Sequence, residues 1–391
     1  MIIDDIDALS VEQILWLLHP PGEGILPVKS WDPESTNPTT TLGSRVEPTA
    51  CTDSPATGLG RAHPDRMESG ELMPKTGETP VPKGDRDLES STQALEDPDR
   101  AVNAFLGSDR FIGATMAGVF EHPSLRTRSA FAGAAYAVGA LPVFFVGDEI
   151  GIDSRETAED IAHLLCEHHQ LIGARLQHHE TFRRMAEVAL EYRRPLINLL
   201  TDWAHPTQAI ADVITIVERL KIDLREPIPN LRIAYLGDAN NVARSLVKAA
   251  TAIGWDVTVA APAGHQFGVD DLASFETFRR LCKSEARVEL ADDPSAAVRE
   301  AQVLYTDVWV SMGADGYGAN GAVDEFRGFA IDEKLLLSAP EDAFVMHCLP
   351  AHRGMEIAAS VIDSERSAVW AQAKNRLVAM ERLFRLISEE D

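Results

Sequence analysis

No stretch of about 18 consecutive apolar residues occurs anywhere in the sequence, so no membrane-spanning helix is expected. The start, Met1-Ile2-Ile3-Asp4-Asp5-Ile6-Asp7, has neither the basic stretch nor the apolar stretch of a secretory signal, and the expected location is the cytoplasm. Cysteine is scarce: Cys51, Cys166, Cys282 and Cys348 are far apart and form no C-x-x-C pair. That spacing excludes a disulfide framework and gives no zinc signature. Basic residues are in deficit, 36 Lys+Arg against 61 Asp+Glu, a formal net charge of −25 that argues against a nucleic-acid partner. What the chain does have is 391 residues, 45% of them hydrophobic and 25% charged, enough for two domains of ordinary size with their own cores.

A short amphipathic helix is predicted over Val11–Leu18, with Ser10 as its N-cap and Pro20-Pro21-Gly22 as its end. From Leu26 to Asp99 the chain is rich in Pro, Thr, Ser, Gly, Asp and Glu and lacks apolar periodicity, which predicts a long disordered N-terminal insert. From Phe111 onward short apolar runs alternate with helical stretches. Candidate strands are Thr115–Phe120, Leu141–Val146, Leu171–Ala174, Leu196–Asn198, Arg232–Leu236, Asp256–Ala260, Val303–Thr306 and Phe344–His347. Candidate helices between them include Ser129–Val138, Ala158–Glu167, Glu180–Leu190, Thr207–Lys221 and Asn241–Ile253. Strands separated by helices of this length call for right-handed crossovers, so the predicted class is α/β, two doubly wound parallel-sheet domains joined by helices.

The segment Glu121-His122-Pro123-Ser124-Leu125-Arg126-Thr127-Arg128-Ser129 follows a predicted strand and opens a helix. Free backbone N–H groups and the dipole favour an anion at a helix start, and two hydroxyls and two guanidinium groups stand beside them. Taken alone, Ser124 as an ordinary N-cap beside solvated arginines explains the segment equally well. The turn Gly237-Asp238-Ala239-Asn240-Asn241 has one of the glycines of a G-x-G-x-x-G fingerprint, so no nicotinamide cofactor is supported. Cys166-Glu167-His168-His169 and His178-His179-Glu180 lack the spacing that puts ligands on one helical face, and no metal is expected.

The S-x-R-T-R run after a strand ending in V-F-E resembles the carbamoyl-phosphate signature of the aspartate/ornithine carbamoyltransferase family. His205-Pro206-Thr207-Gln208 resembles the family's H-P-x-Q segment. Tyr235–Ala243, Tyr305-Thr306-Asp307-Val308-Trp309-Val310-Ser311-Met312-Gly313 and His347-Cys348-Leu349-Pro350 then follow in the family's order. D-x-W-x-S-M-G and H-C-L-P resemble the ornithine branch in particular. The likeness covers Phe111 to Arg376 and the first helix; the insert has no counterpart.

The resemblance implies transfer of the carbamoyl group of carbamoyl phosphate to the side-chain amine of L-ornithine, giving L-citrulline and phosphate, without cofactor or metal. The enzyme must then hold phosphate, stabilise the developing oxyanion and bind the amine deprotonated. By resemblance, Ser124, Leu125, Arg126 and Thr127 hold the phosphate, while Arg175, His205 and Gln208 face the carbonyl group. Arg376 is a further carbamoyl-phosphate ligand, and Leu349 supplies a backbone contact. Leu125 stands where the family usually has Thr, and one neutral hydrogen bond less costs about 1 kcal/mol. Asp307 and Cys348 lie beside the amine, with Cys348 as proton acceptor, which requires neighbouring cations to lower its pKa. Asn241, Ser311 and Met312 hold the other end of ornithine. Arg155 occupies a loop from which relatives reach carbamoyl phosphate, in some cases from a neighbouring subunit.

The expected organisation is a carbamoyl-phosphate domain over 1–205 containing the insert at 26–99, an ornithine domain over 206–363, and a last segment, 364–391, whose helix packs back on the first domain. The family implies a homotrimer or a multiple of it, with small-molecule substrates and no nucleic-acid or membrane partner. Leu125, His352 and the insert leave open an acceptor other than ornithine, such as an acylated ornithine or an amine of a specialised pathway. In another class stands a catalytically silent paralogue that binds carbamoyl phosphate or a partner.

Overall fold

A computed structural model describes residues 1–18, 109–223, 226–309 and 324–389; the predicted insert and the expected ligands Ser311 and Met312 lie outside them. Two parallel five-stranded sheets organise the described chain. The first has the order β1-β5-β4-β2-β3, from β1 (Ile2–Ile3), β2 (Thr115–Phe120), β3 (Leu141–Val146), β4 (Leu171–Arg175) and β5 (Leu196–Leu200). The second has the order β10-β9-β6-β7-β8, from β6 (Arg232–Leu236), β7 (Asp256–Ala260), β8 (Val288–Ala291), β9 (Val303–Thr306) and β10 (Phe344–His347). Every ladder is parallel, and the α/β class read from the sequence holds. All eight candidate strands are present. The two that periodicity did not reveal are β1, whose two residues carry no pattern, and the half-buried edge strand β8.

The helices that position the cleft are α1 (Val11–Leu18), α2 (Leu125–Ala137), α3 (Gly147–Ile150), α4 (Ala158–His168), α5 (His179–Glu191), α6 (Pro206–Leu220), α7 (Asn241–Ile253) and α8 (Val269–Leu281). The short α9 (Pro294–Val298), α10 (Glu333–Leu337) and α11 (Ala359–Ile362) precede the long α12 (Val369–Glu389). Local chemistry sets their starts. The Ser124 hydroxyl accepts from Thr127 N at α2, Thr157 caps α4 through Asp160 N, and Asn240 accepts from Val242 N and Ala243 N at α7. Pro206 opens α6 at a position where its missing N–H costs no helical bond. Pro206 to Ile216 are all buried, so α6 runs inside the molecule, packed against β5, α1, α7 and α12. α12 lies across it and against α2, where Phe131 and Phe384 meet edge to face at 5.2 Å.

Candidate active site

In each sheet the strand order reverses once, between β2 and β4 and between β6 and β9. Helices leave opposite faces at such a point, and a crevice opens beyond the carboxyl ends of the strands. Loops from both crevices line a single cleft of about 460 Å³, a volume suited to small metabolites. Ser124, Arg126, Thr127, Arg175, His205, Gln208, Asn241, Asp307, Cys348, Leu349 and Arg376 all line it. Leu125 does not: its side chain is 79% exposed, and only its backbone amide, in the first turn of α2, is placed to serve an anion. Arg155 stands on a surface loop with its side chain 71% exposed, and it is not part of the cleft lining.

One wall is strongly cationic. Arg175 ends β4, Arg126 sits in the first turn of α2, and Arg376 reaches in from α12. Arg175 Nη1 donates to Ser124 Oγ at 3.2 Å and Thr127 Oγ1 at 3.5 Å. Arg376 Nη2 donates to Thr127 Oγ1 at 2.9 Å and Nη1 to Gln208 Oε1 at 2.5 Å. The Nε of both arginines is buried with no partner. Burial, and then repulsion from Arg376 and Arg126, pushes the Arg175 guanidinium down to about 10; burial lowers Arg376 as well. Three converging cations that oppose one another make a site that an anion relieves. Arginine forks suit the planar oxygen pairs of phosphate and carboxylate.

His205 precedes α6 and is buried; its N–H donates to Ser245 Oγ at 2.9 Å, and its Nδ1 faces Thr207 Oγ1 at 3.5 Å. Burial and then the three arginines hold its imidazole well below the ordinary value, so it is neutral at neutral pH. Gln208 departs from its expected part. Its Nε2 donates to Asp212 Oδ1 at 2.7 Å and its Oε1 accepts from Arg376, so it offers the cleft an acceptor rather than a donor.

The opposite wall carries the Asp307–Cys348 pair at the ends of β9 and β10. Cys348 Sγ donates to Asp307 Oδ1 at 2.8 Å, and Asn240 Nδ2 donates to Asp307 Oδ2 at 3.2 Å. The lowered thiol pKa that a thiolate acceptor requires is contradicted. Burial, and then the Asp307 charge and hydrogen bond, push the Cys348 thiol well above its ordinary value, outweighing Arg376. The sulfur is protonated and acts as a donor. Asn241 donates through Nδ2 to Thr201 O at 2.5 Å, tying α7 to the segment before α6. Leu349 has a left-handed φ of 59°, and its N–H donates to His347 Nδ1 at 2.9 Å.

Sequence reasoning passed over several groups. Asn240 caps α7 and holds Asp307 at once, and sequence reasoning assigned it neither part. Arg244 lines the cleft, stacked 3.8 Å from the Trp203 ring and paired with Asp271, through contacts that no local pattern announces. Asp307, His347 and Cys348 bring three potential metal-ligand atoms within 4.8 Å of one another. Both His347 nitrogens are already engaged, Nδ1 by Leu349 N–H and Nε2 by Glu356 Oε1 at 3.1 Å, so the donor set does not suit a metal ion.

Comparison with known proteins agrees with this geometry. Residues 84–218 match the family model described as aspartate/ornithine carbamoyltransferase, carbamoyl-P binding domain, and residues 229–387 that of the Asp/Orn binding domain. An ornithine carbamoyltransferase of Acidothermus cellulolyticus is 41% identical over 308 residues, 77% of this chain and 94% of that one. An anabolic ornithine carbamoyltransferase of Pyrococcus furiosus is 38% identical over 275 residues, 70% of this chain and 84% of that one. The solved structure of ornithine carbamoyltransferase from Pyrococcus furiosus superposes with a TM-score of 0.67 at 35% identity, covering 78% of this chain and 91% of that one. That from Thermus thermophilus gives 0.62 at 32%, covering 76% and 94%. With both halves of the cleft matched and nearly the whole length of these relatives spanned, the chain belongs to the aspartate/ornithine carbamoyltransferase family.

Proposed function

We propose that the chain transfers the carbamoyl group of carbamoyl phosphate to the side-chain amine of L-ornithine, giving L-citrulline and phosphate. The observation that carries this reading is the pairing, across one cleft, of three convergent arginines with the Asp307–Cys348 pair. Phosphate is held by the first-turn amides of α2, the Ser124 and Thr127 hydroxyls, and Arg126, Arg175 and Arg376. Gln208 Oε1 accepts from the carbamoyl NH₂. Neutral His205, with Nδ1 toward Thr207, presents Nε2–H to the carbonyl oxygen beside Arg175. Removing one such donor costs about 10²–10³ in rate.

Asp307 receives the side-chain ammonium of ornithine, with the Cys348 thiol fixing one of its oxygens. The ammonium gives up a proton through Asp307 to water, and the nitrogen lone pair forms the C–N bond. The C–O bond to phosphate then breaks with its electron pair on the leaving oxygen, and the second nitrogen proton ends on phosphate. Residues 1–205 with the helix of 364–391 form the carbamoyl-phosphate half, and 206–363 the acceptor half. The working assembly is a cytoplasmic homotrimer. Neither Leu125 nor His352 lines the cleft, which removes two grounds for a different acceptor.

The test is citrulline formation by the purified chain with carbamoyl phosphate and L-ornithine, beside acetylornithine, succinylornithine, lysine and putrescine. Turnover is expected on ornithine alone, with a large loss in Cys348→Ala; preference for another amine would reassign the acceptor.

A further inference from the structure

The substrates account for Arg376 and Gln208 but not for the carboxylate behind them. Asp212 follows Gln208 by one turn of α6, is 0% exposed and does not line the cleft. Three donors converge on it. Gln208 Nε2 and Gln372 Nε2 each lie 2.7 Å from Oδ1, and the Tyr305 hydroxyl donates to Oδ2 at 3.0 Å. Gln372 Oε1 in turn accepts the N–H of His347, the residue before Cys348, at 2.9 Å. One buried acid thus ties α6, β9 and α12 together and, through Gln372, reaches β10.

Gln372 has its oxygen taken by the His347 N–H and turns its NH₂ to Asp212 Oδ1, so Oδ1 acts as an acceptor; a guanidinium only donates, and the Gln208 amide between the two has one satisfactory orientation. Gln208 must turn its NH₂ to Asp212 and its oxygen to Arg376. The reverse would set NH₂ against guanidinium and oxygen against Oδ1, losing both bonds. We infer that Asp212 is a positioning residue for carbamoyl phosphate: without touching substrate, it orients Gln208 and thereby holds the Arg376 fork in the anion site. Burial lifts the Asp212 carboxyl to about 7 against the pull of its three donors and Arg376. A packed apolar side chain would avoid that cost, so stability alone does not explain the acid.

This inference rests on the reading of the cleft given above, and its test separates the two. Carbamoyl-phosphate affinity is measured by calorimetry, and kcat and both KM values by citrulline formation, in wild type, Asp212→Ala, Asp212→Asn, Gln208→Ala and the Asp212→Ala/Gln208→Ala double variant. Asp212→Ala weakens carbamoyl-phosphate binding about 10-fold or more and leaves the KM for ornithine at saturating carbamoyl phosphate within about 2-fold. Asp212→Asn recovers most of the affinity, because its oxygen can still take both glutamine amides. In the Gln208→Ala background the Asp212→Ala change adds little. Asp212→Ser, which keeps an oxygen and leaves room for water, stands in with the same expected direction if Asp212→Ala does not fold. Unchanged carbamoyl-phosphate affinity, equal shifts in both KM values, or full additivity with Gln208→Ala overturns the inference. Binding of carbamoyl phosphate without citrulline formation sinks the functional reading while the affinity series still decides on Asp212. No binding by the wild type overturns both.

Discussion

Cys348 and Asp307 show how far a side chain's chemistry depends on what faces it. A cysteine near Arg376 and Arg175 invites a thiolate, yet burial and an adjacent carboxylate prevail and keep the proton on sulfur. Alkylation of Cys348 by iodoacetamide is therefore slow at neutral pH. It accelerates in Asp307→Asn, which removes the opposing charge; the modified peptide followed by mass against pH reads this directly, and a variant rate equal to wild type would contradict it. His205 is displaced the other way. Folded, it stays neutral below the ordinary 6.5, whereas the unfolded chain takes up a proton there. Its contribution is fully present above about 6.5 and is lost as pH falls, with a slope of up to about 1.4 kcal/mol per pH unit. Urea unfolding at pH 7.5 and 5.5 shows a shallower acid loss in His205→Gln than in wild type.

At the scale of elements, α7 grips the segment that enters the site. The His205 N–H donates to Ser245 Oγ, Ser245 donates to Asp5 Oδ1, and Lys248 sits between Asp5 and Asp7 at 2.8 and 2.6 Å. Asp5 and Lys248 are both buried, so the N-terminal segment is joined to the cleft by a charge pair that neither can leave without cost. Lys248→Met strands the Asp5 carboxylate and lowers stability by about 3–5 kcal/mol, while Lys248→Met with Asp5→Asn recovers part of the loss. Thermal unfolding of the two variants checks the pattern, and equal midpoints would refute it. None of this was legible locally: Asp4-Asp5-Ile6-Asp7 reads as an acidic start, and Lys248 as a polar position on an amphipathic helix. Eight of the ten described strands and the helices α1, α2 and α4 to α7 were legible, because 2.0 and 3.6 residue periods are local properties.

At the scale of the whole molecule, a chain of net charge −25 still brings Arg126, Arg175 and Arg376 together on one wall of a cleft, so the average charge says little about the site. Sedimentation of the purified chain at micromolar concentration is expected to give three times the chain mass, and a monomer would remove the proposed assembly. The sequence by itself determined the α/β class and the order of the elements through its patterning, and, through its resemblance to the carbamoyltransferase family, pointed to eleven residues that meet in one cleft. Only the tertiary structure decided that Leu125 faces solvent, that Gln208 offers its oxygen, that Cys348 keeps its proton and that Asp212 stands behind Arg376. Amide orientation, protonation and burial are set by partners distant in sequence, Arg376 for Gln208 and Asp307 for Cys348. Their fields act only once α12 lies over α6 and β9 lies beside β10.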